Sequence, residues 1–326
     1  MTAKSLFAAS LGCILTAISA QAFPEKAWPE AKEIRLVVPF PAGGGADTLA
    51  RIIAPELSSR LGQTVIVENI AGAGGSLGTE QASRAKNDGY TLLYVTNGTL
   101  GTNPALYPHV GYDPLKDFAP VARLTEIAMV MSVNPKRHSE TSLKDFLNKA
   151  KASSLPFTFS SAGNGTTSHL AGVMLSNLTG IKFEHIPYRG GAASMTDMLG
   201  GRIDFTIDVA PNTLVHVDAK KLTALGSGSA QPLKSHPEIA PIAKTVPGFE
   251  LFAWDGIVVQ KGTNPKIIKE LNLALQEALK TEKVKSAYLN RGAEVVESTP
   301  EGFRVFIQSE TKKWADLVRT SLTKLD

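Results

Sequence analysis

The sequence predicts an α/β protein of two lobes joined by two crossover strands, with a ligand cleft between them. Three observations carry this expectation. Short apolar runs alternate with amphipathic segments along most of the chain, the pattern of a parallel sheet flanked by helices. That alternation occurs twice, on either side of one apolar run too long to be a loop. A second apolar stretch, "FELFAWDGIVV", then leads into helices that have no strands of their own.

The first unit opens with a strand over Ile34 to Val38. Leu49, Ile52, Ile53, Leu57 and Leu61 then recur at helical spacing, and Pro55 is expected to kink that helix because it removes a backbone donor. Thr64 to Glu68 is a second strand, Leu77 to Lys86 a helix, and Thr91 to Thr96 a third strand. After the Pro- and Gly-rich stretch Asn103 to Pro120, Val121 to Val133 is the long apolar run, suited to carry the chain from one lobe to the other.

The alternation then restarts. Pro156 to Ser160, Phe183 to Ile186 and Asp204 to Val209 read as strands, with helices over Thr167 to Leu178 and Ala192 to Leu199. Beyond the second crossing, Asn264 is an N-cap with Pro265 at the first helical position, and Ile268, Leu271, Leu275 and Leu279 share one face. Thr299, Pro300 and Glu301 open a last helix with the stripe Phe303, Phe306, Ile307, Trp314, Leu317 and Val318. These helices are expected to pack back on the first lobe. The expected division is residues 23–125 plus 252–326 for one lobe and 126–251 for the other. Two crossings make a hinge, and a hinge between two α/β lobes makes a cleft.

At the N-terminus, Met1 to Ala22 carries a single charge at Lys4, an apolar run from Leu6 to Ile18, and the small-residue pattern Ala20-Gln21-Ala22. That is the grammar of a secretory signal cleaved after Ala22, so the protein is expected in the periplasm. A lipid anchor at Cys13 fits poorly, because Ser10 stands three residues before it and the apolar core would be cut almost in half. Cleavage removes the only cysteine, and with it cysteine nucleophiles and thiolate metal sites. Net charge falls from +4 to +3 and the basic residues are scattered, so no nucleic-acid surface is expected.

Glycine-rich turns stand at four strand ends: Ala42 to Asp47, Gly72 to Gly78, Ser161 to Thr166, and Gly190-Gly191. Any one of them can be a tight strand-to-helix turn and nothing more. A glycine turn that enters a helix also offers unpaired amides, the positive end of the helix dipole and room for a ligand. In open α/β sheets ligands sit at the carboxyl ends of strands, where all four turns lie, and together they favour an anion site.

Three rival chemistries fit less well. A dinucleotide fold would find its ribose-binding acid in Glu68, but the third glycine of the fingerprint is replaced by Thr48 after Gly43 and Gly45, and by Leu77 after Gly72 and Gly74. Gly74-Gly75-Ser76-Leu77-Gly78 matches a nucleophile elbow in form, yet the segment from Glu68 through Gly72 separates the serine from the strand end. His109, His138, His169, His185, His216 and His236 contain no H-x-x-x-H or H-E-x-x-H spacing, so no metal is expected. Among candidate side chains, His169 either faces the cleft or packs, and Asp47 caps its helix and holds the glycine amides toward the cleft. Arg189 either pairs a carboxylate or sits on the surface, and Trp254 either lines the hinge or packs in a core.

The run "WPEAKEIRLVVPFPAGGGADTLARIIAPELSSRLGQTVIVENIAGAGGSLGTEQASRAKNDGYTLL" resembles the opening of the Bug proteins, the substrate-binding receptors of tripartite tricarboxylate transporters. The resemblance continues through "LKDFAPVARL", "SSAGNGTTSHLAGVML", "IPYRGGAASMTDMLGGRIDF" and "GFELFAWDGIVV", covering essentially the whole mature chain. It implies a type II periplasmic-binding-protein fold that closes on a small organic carboxylate, with no cofactor and no catalysis. Carried onto matching positions, it implies ligand contacts from Phe40, Pro41, Ala42, Gly43, Gly44 and the Asp47 helix start in one lobe. From the other it implies Ser161, Asn164, Gly165, Thr166, His169, Gly190 and Asp208. Arg189 stands where the family more often has lysine, and the loop "TNGTLGTNPALY" is a variable version of its counterpart, leaving open whether Thr96, Asn97 and Gly98 touch the ligand. The implied partners are the ligand and the membrane components of such a transporter; the alternative is a sensory role, delivering the ligand to a membrane sensor, and the protein is expected to be a monomer.

Overall fold

The computed structural model describes residues 28–107 and 109–317, the last by its backbone alone. The signal segment and Val318 of the predicted final stripe lie outside the described residues, as does the Leu317 side chain. The first unit runs β1 (Ile34–Val38), α1 (Gly45–Leu61), β2 (Val65–Asn69), α2 (Ser76–Ser83) and β3 (Thr91–Thr96). A π-helical turn, Gly98–Thr102, leads through α3 (Asn103–Leu106) to the long β4 (Phe118–Val133). The second unit runs α4 (Leu143–Ala152), β5 (Phe157–Ser161), α5 (Thr167–Thr179), β6 (Phe183–Pro187), α6 (Gly191–Leu199), β7 (Phe205–Val209), α7 (Ala210–Asp218) and β8 (Thr223–Ser227). The chain returns through β9 (Phe252–Gln260) to α8 (Pro265–Lys280), α9 (Glu282–Leu289), β10 (Ala293–Val295) and α10 (Pro300–Leu317).

The strands follow the order β2-β1-β3-β9-β4-β7-β5-β6, with β8 and β10 also on β4. β1 pairs in parallel with β2 and β3, and β5 in parallel with β6 and β7, as two βαβ halves require. β4 joins them. From Phe118 to Ala128 it pairs antiparallel with β9, and from Met129 onward with β7. Such a strand is covered on both faces in each half, which is why "AMVMSV" is apolar almost without alternation. On the return path Leu251 donates to Gly228 and Gly228 to Met129, so the second crossing runs beside the first. The two crossings lie at one hinge.

α1 continues through Pro55 as one helix. Its buried face, Leu49, Ile53 and Leu57, rests on β1 and on α8, whose Leu271, Leu275 and Leu279 are also buried. α8 and α10 pack against β4, so the C-terminal helices do cover the first lobe. Asn264 caps α8 by accepting from the Lys266 amide at 3.0 Å, and Phe303, Ile307 and Trp314 form the buried stripe of α10. Trp314 lies against Gly101 of the π-helical turn, where an added Cβ would stand 2.6 Å from its ring. Six elements stand outside the sequence expectations: α3, α4, α7, β8, α9 and β10. For α4 the signal was present, since Leu143, Phe146, Leu147 and Ala150 follow the Ser142 cap at helical spacing.

Candidate functional site

Four helix N-termini meet between the lobes. α1 begins after Gly44, α5 after Thr166, α6 after Gly190 and α7 after Val209, and none of these four positions makes a side-chain cap hydrogen bond. Of the other six described helices, α2 and α3 also begin uncapped, at Gly75 and Thr102, and the remaining four are capped. Ser142, Asn264 and Thr281 cap α4, α8 and α9 with their side chains, and Thr299 Oγ1 accepts from Gly302 at the start of α10. The first amides of a helix have no carbonyl one turn back, so an uncapped N-terminus leaves donors open, with roughly half a positive charge at each end.

These termini and the Asn97–Gly98 turn enclose a cavity of about 80 Å³. On a measure where one water needs roughly 10–15 Å³, that is room for a ligand of a few carbons. No lysine, arginine or histidine among the described residues lines it, and Asp208 and Tyr94 are its only titratable groups. A wider vestibule of about 470 Å³ shares Phe40, Pro41 and Ala162 with the cavity and adds Tyr107, Asn164, Arg189 and Gly190.

Of the residues named from sequence, Phe40, Pro41, Gly44, Thr96, Asn97, Gly98, Thr166, Asp208 and Trp254 border the cavity. Asn164, Arg189 and Gly190 border the vestibule. Ala42, Gly43, Asp47, Ser161, Gly165 and His169 border neither. Asp47 is a correction in detail, because it is the third residue of α1 rather than its N-cap. Its carboxylate accepts from the Gly43 amide at 2.9 Å, from Arg51 and from Asn69, so it takes one glycine amide for itself and aims none at the cleft. Burial works to raise its pKa, but Arg51, Gly43 and Asn69 outweigh that and keep it below the usual value.

His169 is buried and stacks on His185, ring centroids 4.1 Å apart, while its Nδ1 accepts from the Gly165 amide. Burial pushes its pKa down to about 4, which makes it a neutral packing group. Ser161 Oγ is engaged by His185 Nε2 at 2.6 Å and by the Gly163 amide. Trp254 borders the cavity, yet its indole N–H donates to Glu310 and its ring packs on Phe303 and Phe306, so it serves the core. Ser76 Oγ accepts from Asn103 Nδ2 at 2.9 Å.

At the floor, the Tyr94 ring borders the cavity while its hydroxyl donates to the buried carboxyl of Asp255. Thr125 Oγ1 donates to the other oxygen at 2.6 Å. Burial raises the Asp255 pKa to about 6, partly offset by these two hydrogen bonds. At the far wall, Asp208 Oδ1 accepts from the Val209 amide at 2.8 Å and Oδ2 from Asn212 Nδ2 at 2.6 Å.

The lobes touch on both sides of the cavity. Thr167 Oγ1 donates to Asn97 Oδ1 at 2.8 Å and Tyr107 Oη to the Asn164 carbonyl at 3.1 Å. An added Cβ at Gly45 would stand 2.6 Å from Val209 Cγ2, and one at Gly190 2.7 Å from Pro41. The cavity residues not anticipated include Tyr94, Thr167, Ser168 and Asn212, while Gly191 belongs to one of the expected glycine turns. Asn212 had a signal in Pro211, whose place just after a strand marks the first turn of a helix.

The profile described as tripartite tricarboxylate transporter family receptor matches residues 49–322. BugT of Bordetella pertussis is 34% identical over 322 residues, covering 98% of this chain and 96% of BugT. The solved structure of periplasmic binding protein BugD superposes with a TM-score of 0.86 at 32% identity, covering 90% of this chain and 98% of BugD. MatC from Rhodopseudomonas palustris, solved with bound malate, gives a TM-score of 0.83 at 29% identity over 89% of this chain and 99% of MatC.

Proposed function

Because the chain belongs to the tripartite tricarboxylate transporter receptor family, we propose that it captures a small organic carboxylate, most naturally a dicarboxylate, between its lobes and delivers it to the membrane components of such a transporter. The family is one of periplasmic solute-binding proteins, and no described helix is long and apolar enough to cross a membrane. One observation carries the ligand class: four helix N-termini that line a small cavity are left without side-chain caps, while four helices elsewhere have them. Open amides with the helix dipoles behind them suit carboxylate oxygens, and they do so without a fixed cation.

In this reading residues 23–125 plus 252–326 form one lobe and 126–251 the other. α1 and the Asn97–Gly98 turn grip one end of the ligand, and α5, α6 and α7 the other. Each half makes its full contacts only when the lobes meet, so binding selects the closed arrangement. MatC carries malate in its solved structure, which supports a compact acid here. The protein acts as a monomer after cleavage of its signal. A thermal-shift screen of aliphatic, hydroxy and aromatic acids tests the proposal. A true ligand at 100 times its dissociation constant stabilises by about 2.7 kcal/mol, and a flat response to every acid refutes it.

A further inference from the structure

Among the described residues, the cavity lining contains one carboxyl group and no cation to balance it. Asp208 is 3% exposed and borders the space that a ligand carboxylate would fill. Its two hydrogen bonds come from neutral donors, the Val209 amide and Asn212. Each element packed against it presents a neutral group: Gly191 from α6, Asn212 from α7, Val130 from β4 by register, and Gly45 from α1 beside Val209. Two other acids beside the cleft are committed elsewhere, Asp47 to Gly43, Arg51 and Asn69, and Asp255 to Tyr94 and Thr125.

Two like charges enclosed in one water-poor space cannot both stay ionised at low cost, and the usual outcome is that one of them binds a proton. A carboxylate ligand brings that second charge. Each Asp208 oxygen accepts one hydrogen bond, which leaves a lone pair where a proton can sit and donate toward the ligand. We propose that Asp208 takes up a proton as a carboxylate ligand enters the cavity and, once neutral, donates a hydrogen bond to it. Asp208 thereby sets specificity: it admits anionic acids by protonation and ties capture to the acidity of the medium. Burial already holds its pKa above the usual carboxylate value, outweighing the bonds from Asn212 and Val209, the direction that favours protonation.

The inference rests on the carboxylate-capture reading, and the experiment separates the two. Malate, succinate, adipate and benzoate are screened by thermal shift, and the acid that binds is titrated calorimetrically from pH 6.5 to 8.5 in two buffers of different ionisation heat. The expected result is proton uptake that rises toward one per ligand, with affinity falling by about tenfold per pH unit at the alkaline end. Asp208→Asn, which stays neutral, should bind without proton uptake and with a flat pH profile. The wild-type proton count stands on its own should that variant fold poorly. Binding with no proton uptake overturns the inference and leaves the receptor reading in place. So does affinity that rises with pH and is lost in Asp208→Asn, the behaviour of a site that needs Asp208 ionised. No binding by any acid overturns both.

Discussion

Thr167 Oγ1 donates to Asn97 Oδ1 across the cleft at 2.8 Å, tying the first turn of α5 to the end of β3. Both residues are buried, and the Asn97 amide nitrogen has no protein partner among the described residues, which leaves it free for a ligand. Thr167→Val removes the interlobe bond with little change of shape. A net hydrogen bond is worth about 1 kcal/mol, so ligand affinity should fall about fivefold. A double-mutant cycle with Asn97→Ala checks the origin: the two effects should be strongly non-additive if the bond between them is the cause.

Gly45→Ala should separate closure from folding. The new methyl would stand 2.6 Å from Val209 Cγ2 in the opposite lobe, and a β-branched neighbour has little freedom to yield. Closing over this wedge should weaken ligand binding by roughly tenfold or more, on the scale of overpacking at 1–3 kcal/mol. Within its own lobe the position is helical and alanine suits a helix, so the ligand-free melting temperature should hold or rise slightly. A lowered melting temperature with unchanged affinity would show that Gly45 matters to folding alone.

The two-lobed architecture was legible because its signals are periodic. The strands of both halves, the Asn264 cap and the stripe of α10 follow from spacing that burial enforces. The site was legible at its glycine-rich turns and, through the family resemblance, at flanking residues such as Phe40, Pro41 and Asp208. Gly44, Thr166 and Gly190 mark helix starts in the sequence, and the structure places all three at the cleft. Tyr94 was not legible, because an aromatic in a buried strand reads as core, and only the antiparallel pairing of β3 with β9 sets it beside Asp255. For Asp47 and His169 the sequence offered both a chemical and a packing role, and the choice depends on their partners. A polar residue beside a glycine turn looks chemical, whereas Asn69, which binds Asp47, and His185, which stacks on His169, come from tertiary packing, and Arg51 binds Asp47 from the next turn of α1.

Asp47→Ala should loosen the first jaw of the cleft. The carboxylate holds Gly43, Arg51 and Asn69 together, and Asn69 in turn donates to the Phe40 carbonyl at 3.0 Å. Losing this anchor should cost about 1.5–3 kcal/mol of stability, the range for hydrogen bonds to a charged group, and weaken ligand binding through disorder of Phe40 to Gly44. Urea unfolding and calorimetry on the same variant measure the two effects. Unchanged stability would show the network to be incidental.

The stacked pair His169 and His185 should make the protein sensitive to mild acid. Burial depresses their pKa values to about 4 and about 3, with His169 adding a smaller repulsion to His185. An unfolded histidine titrates near 6.5. Between roughly pH 4 and 6.5 the unfolded chain therefore holds more protons than the folded one, and stability falls as pH falls. Urea midpoints taken from pH 7 to 4.5 should decline, and His169→Gln should decline less steeply. Parallel profiles for the two proteins would show that the pair does not stay neutral.

Asp255 should act with the opposite sign in an overlapping window. Its folded pKa is raised by burial to about 6 against an unfolded value of 3.8, so the folded state is the better proton binder between those limits. Its stabilising contribution is complete below about pH 3.8 and is lost as pH rises through about 6, after which it stays constant. The difference in unfolding free energy between wild type and Asp255→Asn should therefore shrink from pH 4 to 6.5 by on the order of 3 kcal/mol and then level off. Taking the difference matters, because His169 and His185 bend the raw curve the other way and cancel in the comparison. A flat difference curve would place the proton elsewhere in the cluster with Tyr94 and Thr125. A curve with the predicted slope identifies Asp255 as neutral in acid and ionised at neutral pH, where its charge is held by the Tyr94 and Thr125 hydroxyls beneath the cavity floor.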